Sequence, residues 1–390
     1  MIPGQEAEPR RAPHDLILRA YSSHELSAVE PRWRNLEQRC GAGVMVSWAW
    51  TSTWLRHYGA VVPHRFLIAE RGDAPCGALL LAASVGRKIG PFPWQTIHLG
   101  TAGEEDSESV VVEYNGLLAL PEDKAAFAAA IMRHLDADPS WDELVLDGFI
   151  PEDARFFLQA EPRFQSRERG CAAVDLEAGR KAGGGALFLF TTRVQKKLRY
   201  NLKGLGPARG EWAETTDQAM DIFEELVALH HKRWNRAGDP GAFASARFHA
   251  FHKDAIARLF PTGKVSLFRV RNATDTLGCL YCLLDGPRVM VYQTGMLAMD
   301  SNKYSPGWVV HLEAMEACVQ RGFGEYNYLA GDTQYKRELS TVQSTLHWAS
   351  YSRPRLRRDI VEALRPVKRK LVESLRSVEK RLRSHRLHRD

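Results

Sequence analysis

The sequence predicts an α/β (α+β) chain of two similar units in tandem, each with a mixed, mostly antiparallel central sheet, followed by a basic helical tail. Three observations carry this. Both halves show the same order of periodicities: two helical segments, a group of strands, then a helix and a further strand. A Gly-rich polar stretch, EAGRKAGGGA at 177–186, lies between them as a linker. Residues 353–390 hold 14 Lys/Arg against five Asp/Glu, a net +9 in a chain whose total is +6. The remainder is therefore slightly acidic, which excludes a generally basic nucleic-acid binder.

Taken in order, residues 1–14 are polar and expected to lack structure. The first unit is expected over 15–176. Its first helix opens at SSHEL and carries Leu26, Val29, Trp33 and Leu36 at helical spacing; SWAWTSTWLRHYG is a second helix with a tryptophan-rich face. RFLIAER and GALLLAASV read as strands joined by the turn GDAPC, and RKIGPFPWQTIHLG as strand, loop and strand. EDKAAFAAAIMRHLDAD has strong helix propensity, and ELVLDGF is the strand after it.

The second unit is expected over 187–352. TTRVQKKLRYNLKGL is a basic helix, DQAMDIFEELVALHHKRW an amphipathic one and ARFHAFHKDAIARLF a third. VSLFRVR, TLGCLYCLLD and RVMVYQTG are strands; a helix follows over 307–321, then the strands EYNYLA and STLHWASY. The junction KYSPG is the most informative point. Ser305 suits an N-cap, Pro306 the first helical position, and Gly307 a close backbone approach. Such a helix start offers free N–H groups and the positive end of a dipole, which suits a phosphate.

Length and a 44% hydrophobic content supply real cores. No run of 18 uncharged apolar residues predicts a membrane span, and the N-terminus has no apolar signal region. The six cysteines are scattered in mostly apolar runs, which suits reduced thiols, so a cytoplasmic protein is expected. Cys279 and Cys282 have CxxC spacing, but three residues apart on a strand they point to opposite faces; no metal site is predicted. GRKAGGGA lacks the Lys-Ser/Thr ending of a phosphate-binding P-loop.

The order of elements, with HLG and VVEYNGLLA in the first half and HKRW, YSPG and YNYLAGDTQYKREL in the second, resembles the GCN5-related N-acetyltransferase (GNAT) superfamily. It is most similar to the double-GNAT group called BioF2-like or CelD-like, related to the Fem aminoacyl transferases. The resemblance spans roughly residues 15–351. It implies an acyl-CoA or other acyl-phosphopantetheine donor held by the second unit, with no metal. Pantetheine would insert between splayed strands at Arg288–Gly295 and Glu325–Leu329, bringing in Tyr292 and Gln293. The pyrophosphate would sit on Asn302, Tyr304, Ser305, Pro306 and Gly307. This loop has one Gly and a Pro where the commonest GNAT loop is Gly-rich.

Amine acylation needs a base for the incoming nitrogen and an acid for the leaving thiolate. Asp332 is the expected base, Tyr335 the acid and Lys336 a charge holder, all just after the last splayed strand. His230, Arg233 and Trp234 end an amphipathic helix, where cations complement the dipole; the same residues are candidates for the acceptor pocket. The implied activity is N-acyl transfer to an amine or hydroxyl on a small molecule, glycan or envelope precursor. Two other readings are tRNA-dependent aminoacyl transfer of the Fem kind and a non-catalytic GNAT scaffold.

The tail carries Ile360, Leu364, Val367, Leu371, Leu375, Val378 and Leu382 as a narrow apolar stripe among cations. It is expected to touch an anionic membrane peripherally or to self-associate. Removing residues 353–390 should lower sedimentation with anionic vesicles, and high salt should weaken the full-length chain in the same way. Equal sedimentation of both chains would remove the membrane role.

Overall fold

Short-range chemistry starts and stops many elements. Ser47 Oγ accepts from Trp50 N at 3.2 Å and opens a tryptophan-rich helix; Ser245 Oγ does the same with Phe248 N at 3.2 Å. Pro151 and Pro306 each occupy a first helical turn, where a missing N–H costs nothing. The computed structural model describes residues 16–356 except 182, 184, 237 and 302. The expected polar N-terminus and the tail beyond 356 lie outside the described residues.

The first half contains β1 (Leu16–Ser22), α1 (Leu26–Cys40), α2 (Trp48–Tyr58), β2 (His64–Arg71), β3 (Ala74–Ala83), β4 (Lys88–Ile89), β5 (Phe92–Pro93), β6 (Thr96–Leu99), β7 (Leu118–Ala119), α3 (Lys124–Ala137), β8 (Glu143–Phe149), α4 (Pro151–Ala160) and β9 (Gln165–Asp175). There follow α5 (Leu176–Lys181), α6 (Thr192–Leu205), β10 (Arg209–Trp212), α7 (Thr216–Arg236), α8 (Ala246–Leu259), β11 (Val265–Arg271), β12 (Thr276–Asp285), β13 (Arg288–Met296), α9 (Pro306–Gln320), β14 (Glu325–Ala330), α10 (Gln334–Glu338) and β15 (Val342–Ser352). The stretch expected as a linker therefore begins as α5, which packs on α9.

Among the described residues, one 13-stranded sheet runs β1-β2-β3-β6-β8-β15-β9-β14-β13-β12-β11-β10, with β7 beside β3. Pairing is antiparallel except for β6 with β8 and β13 with β14, where a helix-bearing crossover returns the chain to the same end. The expected class and the mixed, mostly antiparallel sheet are thus observed. What the sequence does not show is an exchange at the centre. β15, the last strand among the described residues, inserts between β8 and β9 of the first half; β9 pairs with β14 of the second.

Helices cover both faces. Trp50 packs edge-on against Phe251 at 5.2 Å, so α2 and α8 join the halves in a single core with α1 and α7. On the opposite face, α3 and α4 cover the first half, and α6 and α9 the second. Cys279 and Cys282 fall in different clusters, on opposite faces of β12, as their spacing predicts. No helix among the described residues is long and apolar enough to cross a membrane.

The first two arginines of the expected tail belong to the body. Arg353 lies 3.8 Å over the Trp141 ring and donates to Asp138 O and Leu135 O at 2.6 Å each; Arg355 donates to Trp141 O at 2.9 Å. Truncations aimed at the tail should begin after them.

The parallel strands β6 and β8 pair only over Thr96–His98 and Glu143–Val145, then separate. The chain closes this gap itself. Asn115 Nδ2 donates to Leu99 O at 2.8 Å and to Asp147 O at 3.2 Å, while Asn115 N donates to Gly148 O and Ile150 N to Asn115 O, both at 2.9 Å. Gly148 makes this possible: its φ is +59°, and a Cβ there would stand 2.3 Å from Val112 O. Gly148→Val should destabilise the protein by at least about 1–3 kcal/mol in urea denaturation, the cost of a side chain in that backbone region.

Candidate active site

The second half repeats the divergence without a plug. β13 and β14 pair at Arg288–Glu325, Val289–Tyr326 and Met290–Asn327 and no further. From Val291 onward that edge of β13 lacks a β14 partner. A bulge at Tyr292 against β12 adds to the bend, and Leu329 adopts a φ of +61°. Asn327, fully buried, holds the branch point: its Oδ1 accepts from Leu329 N at 2.8 Å, and its Nδ2 donates to Tyr114 Oη and to Glu325 Oε1, each at 2.7 Å.

Two cavities meet at this branch. One of about 480 Å³ lies between the end of β13 and the start of α9, lined by Arg233, Thr294, Tyr304, Gly307, His311 and Tyr335 among others. The other, about 190 Å³, is the slot between the parted strands, lined by Glu113, Gln293, Thr294, Ala330, Tyr335 and Lys336 among others. Thr294 and Tyr335 line both. Among the described residues no side chain caps the start of α9; Ser305 occupies the N-cap position, but its N donates to Asn201 Oδ1 at 2.6 Å and its hydroxyl makes no cap bond. A Cβ at Gly307 would meet nothing nearer than Met296 Sδ at 3.9 Å, so the protein leaves open space over this helix end. The arrangement fits a phosphate on the helix end with an extended chain running to the slot.

Burial sets the electrostatics. Tyr335 has its phenol pKa raised by desolvation, which keeps it protonated, and its ring stacks on His311 at 5.5 Å and 13°. His311 is buried, with Nδ1 2.8 Å from Tyr326 Oη, and desolvation lowers its pKa to about 3, so it is neutral. Lys336 donates to Ala330 O at 2.9 Å; burial lowers its pKa, against the pull of Glu113. Glu113, 6% exposed, accepts from Ala330 N at 2.6 Å through Oε2. Desolvation raises its pKa, opposed by that bond and by Lys336.

Several sequence expectations meet here. Gln293, Tyr304, Ser305, Pro306, Gly307, Arg233, Tyr335 and Lys336 all line the two cavities. Others need correction. Asp332, the expected base, is 81% exposed and ion-paired with Arg337, away from both cavities, so its carboxylate faces water instead of the slot. Tyr292 touches the slot, but its ring packs on Trp50 and its hydroxyl donates to Val111 O at 3.0 Å, toward the first half. His230 is buried under Phe243, with a pKa lowered to about 4 by desolvation; the Trp234 ring lies tilted against it at 5.8 Å. Neither lines a described cavity of the site. Asn302 lies outside the described residues.

The residue that sequence reasoning missed is Glu113. VVEYNG marks the first unit's resemblance, but nothing local says that it reaches the second unit's slot. Tyr114 was missed for the same reason; Thr294 and His311 lie in the second half itself, in a strand and a helix whose local pattern does not mark them as cavity lining.

Residues 192–337 match the acetyltransferase (GNAT) domain family. The crystal structure of FemX superposes with a TM-score of 0.54 at 11% identity, covering 81% of this chain and 95% of that one. L-PGS from Bacillus licheniformis superposes at 0.51 with 9% identity, covering 86% and 94%. Both are likenesses of fold. No curated protein matches the chain in sequence.

Asn327→Leu should strand Leu329 N at the branch and leave Tyr114 Oη with only its 3.2 Å bond to Ser344 Oγ. Each buried polar group left without a partner costs about 1–3 kcal/mol. A urea midpoint equal to wild type would show that the branch is held elsewhere.

Proposed function

We propose that the protein is an N-acyltransferase that moves an acyl group from an acyl-CoA-type thioester to an amine, or less readily a hydroxyl, acceptor. The observation that carries this is the open slot between β13 and β14, continuous in its lining with the uncapped start of α9. The corresponding gap of the first unit is filled by Asn115, so a single donor site is supported. In this reading the α9 end and Tyr304 hold the donor phosphates, and the freed edge of β13 offers N–H groups to the thioester oxygen.

Glu113 replaces Asp332 as the base. It takes a proton from the acceptor ammonium; the freed nitrogen bonds to the acyl carbon and the C–S bond breaks. Of the two protons the nitrogen loses, one reaches the thiolate by way of Tyr335 and the other goes to solvent. Lys336 fixes the Leu329–Ala330 turn beside Glu113. The resemblance to the double-GNAT group supports a glycan or envelope-precursor acceptor and a cytoplasmic site of action.

A second reading is aminoacyl transfer from charged tRNA. Arg193, Lys196, Arg199 and Lys203 are exposed on α6, whose Gly204 packs under Tyr304 of the donor loop. Binding of tRNA that weakens steeply with salt, together with no response to CoA, would favour it.

Gly307→Glu places a carboxylate at the helix end and should abolish CoA binding in calorimetry; unchanged affinity in a folded variant would misplace the donor site. Glu113→Gln and Tyr335→Phe should each lower kcat about 10²–10⁴-fold while sparing CoA affinity. A base is lost as pH falls through its pKa. Since the Glu113 pKa is raised, the acid limb of the kcat/KM profile should lie above that of an ordinary carboxylate and vanish in Glu113→Gln.

A further inference from the structure

The first half holds a cavity of about 710 Å³ that donor binding does not use. Val111 and Glu113 line both this cavity and the slot, so Glu113 stands where the two meet. Glu104, Glu105, Asp106, Glu113 and Asp147 supply five carboxylates to its wall. The basic groups there are largely engaged. Arg87 lies 3.7 Å from Glu143, Arg169 sits 4.7 Å over the Trp348 ring, and His98 Nδ1 is 2.7 Å from Asp147 Oδ2. Lys88 adds one exposed cation at the rim.

An acidic cluster alone would say little, because exposed carboxylates are commonly just solvated. Two of these are not exposed. Glu113 is 6% exposed; Ala330 N satisfies Oε2, while Oε1 has no hydrogen-bond partner among the described residues. Glu104 is 8% exposed; Trp54 Nε1 donates to its Oε1, and its Oε2 is buried without a partner. Its carboxyl is pushed up to about 7 by desolvation, with His98 lowering and Asp147 raising it. Glu104 Oε2, buried with its acceptor capacity unmet, costs stability unless a donor arrives, whereas Glu113 Oε1 is left available at the junction of the two cavities. A cation in the cavity would relieve that cost by favouring the ionised forms.

We propose that this cavity is the acceptor site and that the acceptor is a small cationic molecule bearing a primary ammonium. It enters through the first unit and presents its nitrogen to Glu113 at the slot, opposite to the side from which the donor approaches. Specificity then belongs to the first unit and acyl supply to the second. The inference rests on the transferase reading, since only an acceptor needs to reach the slot.

The test uses the full-length chain, isothermal titration calorimetry and 1,4-diaminobutane, with 1,4-butanediol as the uncharged control of the same length. CoA is titrated in parallel. The diamine should bind saturably and the diol should not. Glu113→Gln, and separately the rim pair Glu105→Gln/Asp106→Asn, should weaken diamine binding at least tenfold with CoA affinity unchanged. Two variants are named because loss of the Ala330 bond could unfold the first. Diamine binding absent, matched by the diol, or unaffected in both folded variants, with CoA binding intact, overturns the cationic acceptor site and leaves the donor reading standing. Carboxylate-dependent diamine binding without CoA binding supports the cation site and removes the acyl-CoA donor instead.

Discussion

Everything distinctive about the site depends on one segment, the Val111–Gly116 loop of the first half. Asn115 hydrogen-bonds both parted strands of its own unit, closing a gap that the fold would otherwise open. Its neighbours reach across to the other unit: Val111 O accepts from Tyr292, Glu113 from Ala330 N and Tyr114 from Asn327. One short stretch thus silences the first divergence and furnishes the second. A buried backbone amide and carbonyl must be satisfied somewhere, and this loop is where both units satisfy theirs.

Desolvation is the common cause behind the electrostatics of the slot. The pKa values of Glu113 and Tyr335 rise and those of Lys336 and His311 fall, each with burial as the largest contribution. All four shifts favour neutral forms. A carboxyl that gains a proton more readily than usual thus stands beside the same slot as a phenol that keeps one. Glu113 and Lys336 temper each other by Coulomb attraction, each opposing the other's shift by burial.

The exchange of β9 and β15 explains how residues of both halves can line one slot. β15 is hydrogen-bonded along its length to β9 and, on its other edge, to β8; β9 in turn carries β14. The sheet is continuous through the site, and the units are held in register by backbone hydrogen bonds as well as by the Trp50–Phe251 core. Residues from different halves can then be placed within hydrogen-bond reach, as Glu113 and Ala330 are.

Particular elements show where local information ended. Hydrophobic period and capping made α2, α3, α7, α8, α9 and the strands β2, β3, β11, β12, β13 and β14 legible, together with the YSPG helix start. β9 was not legible, because its first six residues, QSRERG, are exposed and polar and become a strand only through pairing with β15. Asp332 misled because a residue one turn past a splayed strand can face either way, and an ion pair with Arg337 turns it to water. Glu113 and Ala330 lie in different halves of the chain, and no local pattern encodes such a contact. The sequence by itself determined the class, the order of elements and the helix start at Pro306, because these follow from nearest-neighbour sterics and periodicity. Tertiary structure alone decided which gap stays open and which carboxylate meets it, because both depend on long-range strand exchange and on burial, which no residue carries in isolation.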